Sequence, residues 1–143
     1  MNHPLAIQLD DMFLPTLEQA AADMRQRFRD VQFQVWRCPV GSATQFEGYD
    51  IGLECCFPVA SPDQSDNVAL TISLANVSVR PKIMAEVVWG HPSGHGEAAW
   101  RDDWQSSHDW PEANPETLRH VAEALPRLLR AFEEAVARGH PSV

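Results

Sequence analysis

Apolar and polar positions along this chain follow two periods, and the change between them separates helices from strands. Over "TLEQAAADMRQRFRDV" the residues Leu17, Ala21, Met24, Phe28 and Val31 recur at helical spacing with charges between them, which predicts an amphipathic helix. Pro15, followed by Thr16 and Gln19 as a capping box, sets the predicted start. From Val31 the period falls to two. Val31, Phe33 and Val35 share one face of "VQFQVW"; Tyr49, Ile51, Leu53, Cys55 and Phe57 share one face of "YDIGLECCF". Val68, Leu70, Ile72 and Leu74 alternate with Ala69, Thr71 and Ser73 in the next segment, and Ile83, Ala85, Val87 and Trp89 alternate with Met84, Glu86 and Val88 in "KIMAEVVWG". Such alternation predicts strands covered on one face, the habit of an antiparallel sheet. "PVGSATQ", "SPDQSDN" and "VRP" read as the turns that join them.

The last helix carries the fullest set of signals. Asn114 is placed to cap it, Pro115 to open it and Glu116 to face the positive end of its dipole, while Arg138 and Gly139 mark its end. Leu118, Val121, Leu125, Leu128, Phe132 and Val136 form one stripe that stays in phase across Pro126, which predicts a single kinked helix rather than two.

These elements predict an α+β fold, one domain over residues 1–143: a four- to five-stranded antiparallel meander with an N-terminal and a long C-terminal helix packed on one face, in the order α-β-β-β-β-(β)-α. The other face would carry Gln32, Gln34, Trp36, Asp50, Glu54, Thr71, Ser73, Met84, Glu86 and Val88. It is acidic and partly apolar, and reads either as a binding surface or as an ordinary solvated sheet face.

Charge narrows the partners. The formal net charge is −9, with no Lys or Arg between Arg37 and Arg80, which argues against nucleic acid and is compatible with a basic protein. No apolar run approaches the ~20 residues that span a bilayer, and "MNHPLAIQLDDMF" lacks a secretory pattern, so no membrane association is expected. Three cysteines, two of them the neighbours Cys55 and Cys56, do not suit a disulfide framework and predict a cytoplasmic protein. Cys55 falls on the core face, and Cys56 on the open face beside Asp50 and Glu54, whose charge would raise its thiol pKa.

Candidate chemistry is sparse. In "VVWGHPSGHGEAAW", His91 and His95 are four apart, but Pro92, Ser93, Gly94 and Gly96 make a turn rather than a zinc-binding helix. A three-residue turn would set His91 across from His95, and Glu97, His108 or Asp103 would then be needed as a further ligand. His91, His95 and Glu97 are thus the candidate metal residues, and a small metal-dependent enzyme is one reading. The loop "AAWRDDWQSSHDWPEANP" sets Trp100, Trp104 and Trp110 among Asp102, Asp103 and Asp109, as an aromatic-anchored acidic contact surface would, or as indoles covering the end of the sheet would. No nucleophile elbow, phosphate loop or dinucleotide fingerprint is present, and no cofactor is expected.

In composition and architecture the chain is similar to two classes of small bacterial protein, immunity proteins that neutralise toxins and acidic chaperones that hold secreted effectors. The first reading is a non-enzymatic module that binds a basic toxin or effector. Its candidate contacts are Trp36, Asp50, Glu54, Glu86, Trp100, Asp102, Asp103, Trp104, Asp109 and Trp110. The chaperone or adaptor role is the alternative.

Overall fold

A computed structural model describes residues 3–42, 44–56, 67–90 and 100–139, with the backbone alone for 89–90, 100–107 and 138–139. The element order is α1 (Pro4–Arg27), β1 (Gln32–Gly41), β2 (Phe46–Cys56), β3 (Asn67–Ala75), β4 (Lys82–Gly90), β5 (Trp100–Trp110) and α2 (Pro115–Gly139). All five strands form one antiparallel meander, β1-β2-β3-β4-β5. The fold is α+β, as the periods predict. α1 packs against β1 and β2, and α2 against β3, β4 and β5.

Alternation maps onto the two faces in the pairings of β1 to β4, apart from the exposed far end of β1 and the buried Gly48 and Gly52 of β2. Cross-strand partners share a face, so Val35, Leu53, Leu70 and Val87 form one continuous row, and Tyr49, Leu74 and Ile83 another. These rows are buried under the helices apart from Val35, which is half-buried at the sheet edge. The helices supply Leu9, Phe13, Leu17, Ala21 and Met24 from α1 and Leu118, Val121, Leu125, Leu128, Phe132 and Val136 from α2.

Three elements differ from the sequence-based expectation. First, α1 starts at Pro4 and runs through Pro15 instead of beginning after it. His3 caps the helix by accepting from the Leu5 N–H at 3.2 Å, and Pro4 takes the opening turn, where its missing N–H is harmless. Pro15 lies on the exposed side, so the Asp11 carbonyl it leaves unbonded faces away from the core, while Ala6, Leu9, Phe13 and Leu17 keep the buried stripe in phase. Second, β1 continues through Pro39 to Gly41. Pro39 is tolerable because β1 is an edge strand, and Gly41, at φ 126, makes the turn into β2. Third, residues 100–110 are a strand rather than a loop. Ser106, His108 and Trp110 pair with Val87, Ala85 and Ile83 on the covered face, and a polar edge strand of this kind carries too few apolar residues to announce itself.

α2 forms as its caps and stripe predict, continuous through Pro126. The Thr117 N–H donates to Asn114 Oδ1 at 2.9 Å, and the Thr117 hydroxyl donates to the Glu112 carbonyl. Arg27 and Glu133 pair where α1 and α2 meet. Among the described residues, no helix is long and apolar enough to cross a membrane.

The N-terminal half of α1 is tied to the sheet by a polar knot. The Tyr49 hydroxyl donates to Asp10 Oδ1 at 2.7 Å, and Arg37 holds Asp10 Oδ2 at 3.1 Å. Burial first, and then the hydrogen bond and charge of Asp10, push the Tyr49 phenol up to about 12. The folded protein thus keeps a proton that the unfolded chain releases near pH 10, so this stability is intact below about pH 10 and is lost as pH climbs toward 12. Because the chain has one tyrosine, a near-ultraviolet titration reports this group alone. Phenolate should appear near pH 12 while the far-ultraviolet dichroism is still native, and earlier in Asp10→Asn. Release at the ordinary tyrosine pH in the folded wild type would contradict the knot. Tyr49→Phe should cost about 1 kcal/mol in urea denaturation.

Candidate functional site

The face of the sheet turned away from the two helices holds half of the residues named for contact, Trp36, Asp50, Glu54, Glu86 and Asp109. Its rows follow from the register: Trp36–Gly52–Thr71–Glu86–Ser107, Gln34–Glu54–Ala69–Val88–Gln105, and Cys38–Asp50–Ser73–Met84–Asp109. Asp50, Glu54 and Glu86 are half-buried and Asp109 is exposed. Lys82, next to Ala75 at one end, is the single basic residue in these rows and their continuation. Among the described residues, the ion pairs join Arg27 to Glu133, Arg37 to Asp10, Arg80 to Glu112 and Arg119 to Glu116. None involves a carboxylate of this face.

Two features of the face are built rather than incidental. Glu54 is held by neutral amides on both sides: Gln34 Nε2 donates to one carboxylate oxygen at 3.1 Å and Asn67 Nδ2 to the other at 3.4 Å. The amides fix the carboxylate without neutralising it. Trp36 lies over Gly52 so closely that a Cβ there would sit 2.6 Å from Cζ2 of the indole. Glycine in mid-strand is what allows this approach. The indole N–H of Trp36 is buried without a hydrogen-bond partner, which costs about 1–3 kcal/mol in a folded protein. Neither the clamp on Glu54 nor the seat under Trp36 was among the sequence-based expectations. An isolated glycine in an alternating strand signals close approach, so Gly52 could have pointed to the second; Asn67 read as part of a turn.

The remaining candidates fall elsewhere. Trp110 is on the helix-covered side, half-buried against the core and stacked with His108 at 5.8 Å, so it closes the end of the sheet rather than facing outward. Trp100 pairs with Gly90 and Arg101 with Trp89, after which the register jumps to Val88 and Gln105. Asp102, Asp103 and Trp104 lie in that irregularity of edge strand β5. The turn with His91, His95 and Glu97 lies outside the described residues. Among the described residues, no group of three His, Cys, Asp or Glu is placed to hold a metal ion.

The chain matches no protein-family model, and no curated protein or solved structure matches it. Function therefore rests on the geometry of this face.

For covalent chemistry the thiols are poorly placed. Burial is the main cause that raises the Cys55 thiol, and burial followed by the charge of Glu54 raises that of Cys56. Both effects reduce thiolate at neutral pH. Cys38 is exposed on the open face, and its thiol donates weakly to the Pro39 carbonyl at 3.6 Å. A depression of about 460 Å³ borders the face, lined by Arg25, Arg29, Val31, Gln32, Phe33, Gln34 and Cys56. It sets two arginines beside a thiol that its surroundings keep protonated. Alkylation of the native protein at neutral pH, followed by peptide mass mapping, should modify Cys38 first and Cys56 slowly, with Cys55 reacting only after denaturation. Early labelling of Cys55 would refute the burial assigned to it.

Proposed function

We propose that this protein is a non-enzymatic binding module that presents the open face of its sheet to a basic protein. One observation carries the reading: Asp50, Glu54, Glu86 and Asp109 share an uncovered face, and no cation among the described residues pairs with them. Like charges gathered on one surface repel each other, and the repulsion is relieved when a partner of opposite sign covers them. Met84, Val88 and Trp36 supply apolar area among the acids, as the centre of an interface needs. The sharpest form of this reading is an immunity-type protein that neutralises a basic toxin or effector by covering its active cleft. Charge would speed the encounter, and the apolar anchors would slow release. Trp100, Asp102, Asp103 and Trp104 in β5 would extend the contact along the sheet edge, whereas Trp110 would not take part.

The test is affinity capture with the native protein and with a variant carrying Asp50→Asn, Glu54→Gln, Glu86→Gln and Asp109→Asn, after their melting temperatures have been matched. The native protein should retain one basic protein that leaves as salt rises. The variant should retain little of it, with an association rate lower by about tenfold or more at low salt. Equal retention by the variant, or a complex indifferent to salt, would rule out this face as the charged interface.

A further inference from the structure

We propose that the open face recognises an arginine of its partner, rather than basic residues in general, at a receptor formed by Trp36 and Glu54. This rests on the binding reading above and names the group that the face selects.

The geometry favours a planar, forked cation. Each oxygen of Glu54 accepts one hydrogen bond from a neutral amide, from Gln34 and from Asn67, and the Cys56 thiol is a weaker donor to the same carboxylate, whose acceptor capacity of about four bonds is not filled by these. A carboxylate fixed at both oxygens is ready to accept two parallel N–H bonds, the pairing that a guanidinium makes and an ammonium does not. Trp36 stands in the next row, diagonal to Glu54, because it pairs with Gly52 while Gln34 pairs with Glu54. Diagonal neighbours on one face are about 7–8 Å apart, within reach of an aromatic or long side chain. The indole rests on Gly52 with its N–H buried and unbonded, so it offers a partner its ring rather than a donor. Stacking on an indole suits arginine, which is weakly hydrated and flat, better than lysine, a compact and strongly hydrated charge.

Of this chain's own arginines on that side, Arg29 lines the depression beside Gln34, and among the described residues no ion pair joins it to Glu54. Arg37 reaches Asp10 on the covered side, and Arg25 donates to the Phe33 carbonyl at 2.7 Å. The receptor is therefore left for a group from outside.

Two blocked glycine–serine peptides, one with three arginines and one with three lysines at the same positions, are suitable probes because their charge and length are matched. Titration at low salt, followed by tryptophan fluorescence and calorimetry, should give about tenfold tighter binding of the arginine peptide. Trp36→Leu should abolish that preference while leaving weak, salt-sensitive binding of both peptides. Glu54→Gln should weaken the arginine peptide more than the lysine peptide, and Glu86→Gln should weaken both equally. Melting curves confirm that each variant is folded, and Trp36→Phe, which keeps a smaller ring, should retain part of the preference. Equal affinities in the wild type, or a preference that survives Trp36→Leu, overturn the arginine receptor but leave the acidic-face reading standing if neutralised variants still lose binding. Absence of binding by either peptide also overturns the receptor, while the capture experiment decides the broader reading separately.

Discussion

The cross-strand register of β1 to β4, which shifts only between Val40 and Gly41 where β1 turns into β2, is the constraint on which the rest of the structure depends. In a sheet a slip of one residue exchanges the two faces, so a register held over four strands decides which residues meet the helices and which meet solvent. Burial fixes it: moving β3 by one position would carry Val68, Leu70, Ile72 and Leu74 out of the core and put Ala69, Thr71 and Ser73 in their place. The same constraint that closes the core also lines up Trp36, Gly52, Thr71 and Glu86 on the other side. Position on the open face is thus a consequence of packing on the covered one.

The helices complete this division in different ways. α2 is locally specified, with a cap, an opening proline and one continuous apolar stripe. α1 leans on tertiary contacts in its first half. Its opening turn holds no acidic residue, and Pro15 interrupts its ladder. What holds that half is the buried stripe of Ala6, Leu9 and Phe13 together with the Asp10 knot to Tyr49 and Arg37. This is why the capping box at Thr16 was misleading: Thr16 and Gln19 are compatible with a helix start, but packing of the preceding residues outweighs a local cap worth about 1 kcal/mol.

Legibility followed the same physics. Strands β2, β3 and β4 were plain in the sequence because one face is buried and the other is not, so apolar residues fall on every second position. β5 was hidden because an edge strand needs few apolar residues, and its covered positions are Ser106, His108 and Trp110. Of the acidic residues of the candidate face, Asp50, Glu54 and Glu86 could be assigned from parity alone, whereas Asp109 lies in the hidden β5. Two details of the face could not. That Gln34 and Asn67 both grip Glu54 depends on three strands meeting in register, Gln34 opposite Glu54 and Asn67 opposite Cys56, and that Gly52 seats an indole depends on the side-chain conformation of Trp36. Parity says which face a residue is on, and nothing about what its side chain does there.

The unfavourable terms in this molecule are not scattered. Tyr49, Asp10 and Arg37 satisfy one another on the covered side, whereas the open side keeps an unpaired indole N–H and carboxylates without cations. The N–H would be easy to relieve: a leucine or phenylalanine at position 36 would remove the unpaired donor and keep an apolar contact with Gly52. The unpaired N–H is a cost that folding gains nothing from, since an apolar group of the same shape in its place can be neutral or stabilising. An indole seated on Gly52, diagonal in register to an amide-clamped carboxylate, has a use when a cation arrives to cover both, and that is the condition under which the cost is offset. The concentration of such terms on one face, beside a core free of them among the described residues, is what gives that face its claim to function.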